Sequence, residues 1–182
     1  MIKLLLRLNE EIDRQVCYIC NVLQSECNEK SVVFDEYICF KNKPNKYPRS
    51  KALWGRHGIY VFVMNNDKSV TEEQIRKWNN LNQGASFKNY TKYELKRGDC
   101  IYLGDCVSCS LFSRINQHFA SNESYTSLKL NNPARSFLKD DLIIYAFPIN
   151  KQYTEQDYRI ILPVIERRLH DKLNPKCGSK RT

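Results

Sequence analysis

The chain is 182 residues long, 42% hydrophobic and 27% charged, which suits a single domain that buries its own apolar core. Its 29 lysines and arginines outnumber its 20 acidic residues and give a net charge of +9. A positive field of this size attracts polyanions, meaning nucleic acid or an anionic membrane surface. Because there is no apolar run of about 18 residues and no secretory signal pattern, we expect a cytoplasmic protein with no membrane partner.

The first third of the chain is predicted to contain a helix followed by a basic strip. Apolar residues recur at helical spacing through residues 1–27, and residues 32–40 fit either a strand or a further helical turn. No acidic residue occurs between Tyr37 and Asn66, and two prolines keep this segment extended. The strip is either a solvated linker or a phosphate-contacting surface. Its candidate DNA-binding residues are Lys46, Arg49, Lys51 and Arg56.

Strands and helices are predicted to alternate through the rest of the chain. Their β-branched and aromatic residues place strands at residues 58–64, 99–103 and 142–147, the second ending at Gly104. Helices are predicted at residues 71–81, 110–120 and 154–173, the last with a start or kink at Pro163. Residues 82–97 read as a polar loop. This order favours an α/β or α+β fold in which helices pack on a small sheet.

Eight cysteines include two pairs with metal-like spacing, Cys17-x-x-Cys20 and Cys106-x-x-Cys109. A zinc site built from both pairs would make the chain a zinc-stabilised interaction protein. The first pair lies in a helical pattern, where cysteine usually behaves as a small core residue. We therefore expect reduced thiols, as is usual in the cytoplasm, with zinc as the alternative.

Helix 110–120 carries two polar side chains beside its apolar face. Arg114 and His118 are four residues apart, so they lie on one side of the helix at the border between core and solvent. Arginine can hold a phosphate oxygen and histidine can shuttle a proton. An ordinary surface pair has the same spacing.

Glu166 lies at the edge of the apolar stripe of helix 154–173. A carboxylate at such a border loses hydration and needs a cation or strong donors as partners. An ion pair with Arg167, Arg168 or His170 and a divalent metal explain this position equally well.

Two tyrosines occur beside glycines, in Gly58-Ile59-Tyr60 and Tyr102-Leu103-Gly104. Taken alone, each tyrosine would be packing in a half-buried strand. These tripeptides are followed in order by Arg114-x-x-x-His118, Glu166 and Pro175. In this combination the sequence resembles the GIY-YIG nuclease family over residues 54–178. The resemblance implies a small antiparallel sheet of three strands flanked by helices. The helical and basic segment before it is expected to form an N-terminal extension.

The resemblance also implies a division of labour in a metal-dependent DNA endonuclease. Tyr60 would help to deprotonate the attacking water, and Tyr102 and His118 would order water and phosphate, with His118 sharing the base role. Arg114 would neutralise charge on the phosphoryl oxygens. Glu166 would hold a single Mg²⁺ or Mn²⁺, and no small-molecule cofactor is implied.

Three departures from the family pattern bear on activity. An insertion at about residues 66–98 separates the two tyrosine motifs, and its Lys88 and Lys92 are further DNA-binding candidates. Asp105 stands where many members have lysine, and Gly178 stands where asparagine is expected. The alternative is therefore a weak or inactive nucleic-acid-binding module on the same fold.

The domain plan is an extension over residues 1–53 and a nuclease-like domain over residues 54–182. So compact a chain fits a restriction-like enzyme or a stand-alone repair or mobile-element nuclease. A homodimer is compatible with this plan, because cutting two strands needs two sites.

Overall fold

The computed structural model describes residues 2–25, 32–33, 37–41, 57–81, 84–89, 91–120, 127–149 and 154–178. The helices are α1 (Ile2–Gln24), α2 (Glu72–Asn79), α3 (Leu111–Phe119) and α4 (Glu155–Leu173), with a 3₁₀ helix at Ser136–Asp141. The strands are β1 (Val32–Val33), β2 (Ile38–Lys41), β3 (Gly58–Met64), β4 (Lys68–Val70), β5 (Ser86–Phe87), β6 (Tyr93–Leu95), β7 (Cys100–Cys106), β8 (Leu142–Pro148) and β9 (Cys177–Gly178). Helices combined with antiparallel strands make this an α+β fold.

The central sheet has five antiparallel strands in the order β1-β2-β8-β3-β7, so the expected count of three is wrong. The three predicted strands are the neighbours β8, β3 and β7, and β1 and β2 extend the sheet beyond β8. Ile38 and Cys39 of β2 are buried on opposite faces, which gives this added strand apolar contacts on both sides. Strand β7 also runs past Gly104, its expected end, because Cys106 still pairs with Gly58.

The sheet separates two apolar cores, since successive side chains of a strand point to opposite faces. One face packs against α2 and α3, and its core includes Phe62, Met64, Ile75, Trp78, Ile115 and Phe119. The other face packs against α1 and α4, and its core includes Val16, Ile19, Ile59, Val61, Leu162 and Ile165. An ion pair between Arg168 and Asp13 also joins α4 to α1. No described helix is long and apolar enough to cross a bilayer.

Residues 82–97, predicted as a loop, contain the short strands β5 and β6. Strand β6 pairs with β4, and β5 pairs with β9 near the C-terminal end. Phe87 and Leu95 are buried by these pairings. The indole nitrogen of Trp78 donates to the carbonyl oxygen of Ala85 at 2.7 Å, which ties the insertion to α2. The described parts of the insertion therefore pair with other strands and pack against α2.

The cysteines of the described segments are mostly free thiols, namely Cys17, Cys20, Cys100, Cys106, Cys109 and Cys177. Cys39 is disulfide-bonded, so the expectation of uniformly reduced cysteines is wrong for this residue. The sulfurs of Cys106 and Cys109 lie 3.0 Å apart in the turn between β7 and α3. Across the described ranges, no three histidine, cysteine or acidic side chains are grouped to hold a metal ion.

Candidate active site

The two predicted tyrosines lie on neighbouring strands of the sheet. In the register of β3 and β7, Tyr60 pairs with Gly104 and Phe62 pairs with Tyr102. Tyr60 and Tyr102 are therefore diagonal neighbours on one face. Their ring centroids are 6.2 Å apart and the ring planes are inclined by 22°. The antiparallel register thus brings together two phenols that are 42 residues apart in sequence.

Close packing explains both glycines of the tyrosine motifs. A methyl group at Gly104 would come within 2.4 Å of the Tyr60 hydroxyl oxygen and 3.2 Å of Tyr102 Cε1. A methyl group at Gly58 would come within 2.2 Å of the carbonyl oxygen of Phe147 on β8. A side chain would therefore displace a phenol at the first position and sheet backbone at the second.

Helix α3 directs Arg114 and His118 at the Tyr60 hydroxyl. Ser110 caps the first turn of the helix, whose apolar face is buried against the sheet. Arg114 Nε donates to Tyr60 Oη at 3.1 Å, and His118 Nε2 lies 3.1 Å from the same oxygen. Arg114 Nη1 also donates to Gln117 Oε1 at 2.7 Å, which fixes the guanidinium beside the phenol.

The hydrogen bonds of His118 define its tautomer. The backbone N–H of Leu128 donates to His118 Nδ1 at 3.0 Å, so that nitrogen carries no proton. The ring proton is therefore on Nε2, which donates to Tyr60 Oη. Burial, with a further contribution from the Arg114 charge, lowers the pKa of His118 well below its ordinary value. His118 is consequently a neutral donor at physiological pH.

The hydroxyl of Tyr60 links this pair of donors to Tyr102. Its oxygen accepts from Arg114 and His118, which occupies both lone pairs, so its own proton is donated to the Tyr102 hydroxyl. Burial and the nearby Tyr102 raise the pKa of Tyr60 well above 10, and burial raises the pKa of Tyr102 to about 12. Tyr60 is 0% exposed and Tyr102 is 6% exposed. Tyr102 is thus the outer phenol of the chain.

A cleft of about 770 Å³ opens beside β7, and both Tyr102 and Glu166 line it. The side chain of Glu166 is 16% exposed, and His170 Nε2 lies 3.7 Å from its Oε1. Burial is the main reason that the pKa of Tyr102 is raised, and the negative charge of Glu166 raises it further. The Glu166 carboxylate is therefore close enough to interact electrostatically with the Tyr102 hydroxyl. Four of the predicted catalytic residues therefore form one hydrogen-bonded chain, and the fifth stands beside its outer end.

The predicted DNA-binding residues have different outcomes. Lys88 lies in the cleft wall, where its ammonium group donates to Asn174 Oδ1 at 3.2 Å. Lys92 is exposed and pairs with Glu94 at 2.7 Å. The remaining four lie outside the described residues: Lys46, Arg49, Lys51 and Arg56. The cleft wall also includes Arg167 and Arg168, cations that the sequence suggested only as partners for Glu166.

Two features of the site were not predicted from the sequence. The Leu128 amide, which sets the tautomer of His118, belongs to a segment with no motif of its own. His170, which the sequence suggested only as an ion-pair partner of Glu166, also lines the cleft, one helical turn away on α4, and this place in the cleft was not predicted. Its spacing of four residues from Glu166 was the available signal, because side chains four apart share a helix face.

No protein-family model, curated protein or solved structure matches this chain. The functional case therefore depends on the geometry of the described residues. A hard divalent cation needs few protein ligands, because Mg²⁺ keeps several waters and takes phosphate oxygens as well. A single carboxylate in an open cleft, as at Glu166, fits that requirement.

Proposed function

We propose that this protein is a divalent-metal-dependent endonuclease of the GIY-YIG type that hydrolyses phosphodiester bonds in DNA. It would act in the cytoplasm as a restriction-like enzyme or as a stand-alone repair or mobile-element nuclease. One observation carries the proposal. A chain of hydrogen bonds runs from Arg114 and His118 through Tyr60 to Tyr102, and it ends in a cleft that contains Glu166.

Tyr102, with Tyr60 behind it, would take the proton of the attacking water. Burial raises the pKa of both phenols, but Tyr60 donates to the Tyr102 hydroxyl and so favours the phenolate form of Tyr102. Because Tyr60 is fully buried, the water contacts Tyr102. Tyr102 would first release its own proton to solvent through the cleft and then take the proton of the water, which leaves a neutral phenol and a hydroxide nucleophile. Arg114 and His118 donate to Tyr60 Oη and so hold Tyr60 in position. His118 acts here as a positioning residue, since both of its ring nitrogens are engaged.

Glu166 would hold the single Mg²⁺ or Mn²⁺. The bound ion supplies polarisation of the phosphate and stabilisation of the leaving oxygen. Arg114 is only partly buried, and its guanidinium would neutralise charge on the phosphoryl oxygens. Lys88 and Arg167, both in the cleft wall, would hold the DNA backbone without reading its sequence.

The test is cleavage of supercoiled plasmid in Mg²⁺, in Mn²⁺ and in EDTA. Wild-type protein should nick DNA only with metal, and Glu166→Gln should lower the rate by at least about 100-fold. Glu155→Gln is the matched control, because Glu155 is an exposed glutamate of the same helix, paired with Arg159. Linear as well as nicked product would fit a homodimer, which the sequence analysis found compatible with the domain plan. Inert wild-type protein, or equal cleavage by Glu166→Gln, would overturn the nuclease proposal.

The second candidate is a DNA-binding module without catalysis. The observation in its favour is Gly178, which lines the cleft without a side chain at the position where the family has asparagine. This candidate predicts DNA binding by the wild type, weakened in Lys88→Ala, with no cleavage in either metal. Metal-dependent cleavage that is lost in Glu166→Gln would eliminate it.

A further inference from the structure

His170 shares the cleft with Glu166 and has no role in the proposed reaction so far. The two residues are one turn apart on α4, and their side chains are 31% and 16% exposed. His170 Nε2 lies 3.7 Å from Glu166 Oε1. The imidazole and the carboxylate thus approach each other at the mouth of an open cleft that Tyr102 also lines.

The separation of these two atoms suits a shared metal ion better than a direct hydrogen bond. Hydrogen bonds between nitrogen and oxygen are about 2.7–3.2 Å long. Two ligands each about 2.1 Å from one ion lie about 3.0 Å apart at a right angle and about 3.4 Å apart at a tetrahedral angle. The two atoms would have to approach by about 0.3 Å to share a tetrahedral ion and by about 0.7 Å to share an octahedral one, which side-chain rotation can supply. Two ligands four residues apart on a helix are an established arrangement for divalent metals.

Three described cations line the cleft around the pair. Arg167 is exposed and directly follows Glu166, so the two do not share a helix face. The Arg168 guanidinium, also in the cleft wall, is neutralised by an ion pair with Asp13 on α1. Lys88 is directed to the side-chain oxygen of Asn174 at 3.2 Å. Asp171, which follows His170, adds a second carboxylate to the cleft wall.

We infer that Glu166 and His170 together bind one divalent ion, and that His170 makes the site selective for transition metals over Mg²⁺. Imidazole is a good ligand for Co²⁺, Ni²⁺ and Zn²⁺, whereas Mg²⁺ prefers oxygen. The inference deepens the proposed function by naming a second metal ligand, but binding of the ion is independent of whether DNA is cut. It predicts that transition ions bind more tightly than Mg²⁺ by a margin that depends on His170.

The experiment is calorimetric titration of the full chain, without DNA, with Co²⁺, Ni²⁺ and Mg²⁺, together with the visible spectrum of the Co²⁺ form. His170→Gln should weaken Co²⁺ and Ni²⁺ binding by about tenfold or more and change the Co²⁺ spectrum. Mg²⁺ binding should change by less than about threefold, because its ligand set is dominated by oxygen. Glu166→Gln should weaken all three ions. His57→Gln controls for the loss of a histidine elsewhere, since His57 packs on Tyr158.

Equal Co²⁺ affinity in wild type and His170→Gln would overturn the inference, as would the absence of Co²⁺ binding by wild-type protein. The plasmid assay separates this failure from failure of the proposed function. Cleavage that requires Glu166, together with Co²⁺ binding that does not depend on His170, would leave the nuclease intact and remove His170 from the metal site. Retained, His170-dependent Co²⁺ binding with no cleavage in any metal would keep the metal site and remove the nuclease.

Discussion

Replacing Gly104 by alanine tests the packing that positions the two tyrosines. The added methyl carbon would lie 2.4 Å from Tyr60 Oη and 2.7 Å from its Cζ, about 1 Å closer than an ordinary contact. Tyr60 cannot swing aside freely, because it is buried and hydrogen-bonded to Arg114 and His118. Overpacking of this kind costs about 1–3 kcal/mol.

The change would be measured as the midpoint of thermal unfolding. For a domain of this size, 1 kcal/mol corresponds to about 2–4 °C, so the midpoint should fall by about 2–12 °C. Plasmid cleavage should fall as well, because the displaced phenol no longer meets both donors. Gly178→Ala is the control, since no described atom lies within 4 Å of a methyl group there. The reasoning is refuted if the two alanine variants unfold at the same temperature and cut DNA at the same rate.

Three further predictions concern the same site. Tyr60→Phe removes the oxygen that accepts from Arg114 and His118, so urea unfolding should show a loss of about 1–3 kcal/mol, and unchanged stability would contradict the network. Because the pKa of His118 is lowered in the folded state, only the unfolded chain gains this proton as pH falls below about 6.5. The free energy of unfolding of the wild type should therefore decline by up to about 1.4 kcal/mol per pH unit below that value, and His118→Gln should remove this decline. Parallel plots of unfolding free energy against pH for the two proteins would contradict the prediction. Gly178→Asn adds the side-chain amide of the family pattern at a position where no described atom lies within 4 Å of a Cβ, so the variant should fold normally. It should cut plasmid faster than wild type, and an unchanged rate would mean that Gly178 does not limit activity.

The helices were predictable because their signals are local. Helix α4 begins at Glu155 after the capping residue Thr154, close to the predicted start, and ends at Leu173. Helix α3 begins after Ser110, as predicted. A start at Pro163 is wrong, because the capping box at Thr154 and Asp157 and four buried apolar residues carry the helix through the proline: Ile161, Leu162, Ile165 and Leu169.

The two small sheets, β4-β6 and β5-β9, were not predictable, because each of them joins segments that lie apart in the chain. The two residues of β5 form a strand only through pairing with β9, and β6 depends on β4 in the same way. Neither short segment has enough alternating residues to predict a strand alone. In contrast, β3, β7 and β8 are long, apolar runs, so their existence could be predicted although their register could not.

In the candidate site, too, the residue types were predictable from the sequence, whereas their burial and hydrogen bonding were not. The residue types and their order selected five side chains that the fold does bring near one cleft, but did not predict that Tyr60 would be fully buried and Tyr102 would be the outer phenol. That distinction depends on how α3 packs over the end of β3, which is a tertiary property. The tautomer of His118 likewise depends on an amide at Leu128, ten residues away and invisible to any motif.

The hydrogen-bonded chain places two polar side chains, His118 and Tyr60, in the buried core on one face of the sheet, which costs desolvation free energy. His118 is fully buried and packs on Phe62, whose ring centroid is 5.0 Å away, and Phe119 completes the same apolar surface. An apolar side chain there would fill the space without desolvating an imidazole and a phenol. The fold tolerates both because each ring nitrogen and the Tyr60 oxygen has a partner, and the chain of partners continues to Tyr102 in the cleft wall. Stability gives no reason for an arrangement of this kind, whereas a reaction that moves a proton at the mouth of the cleft does.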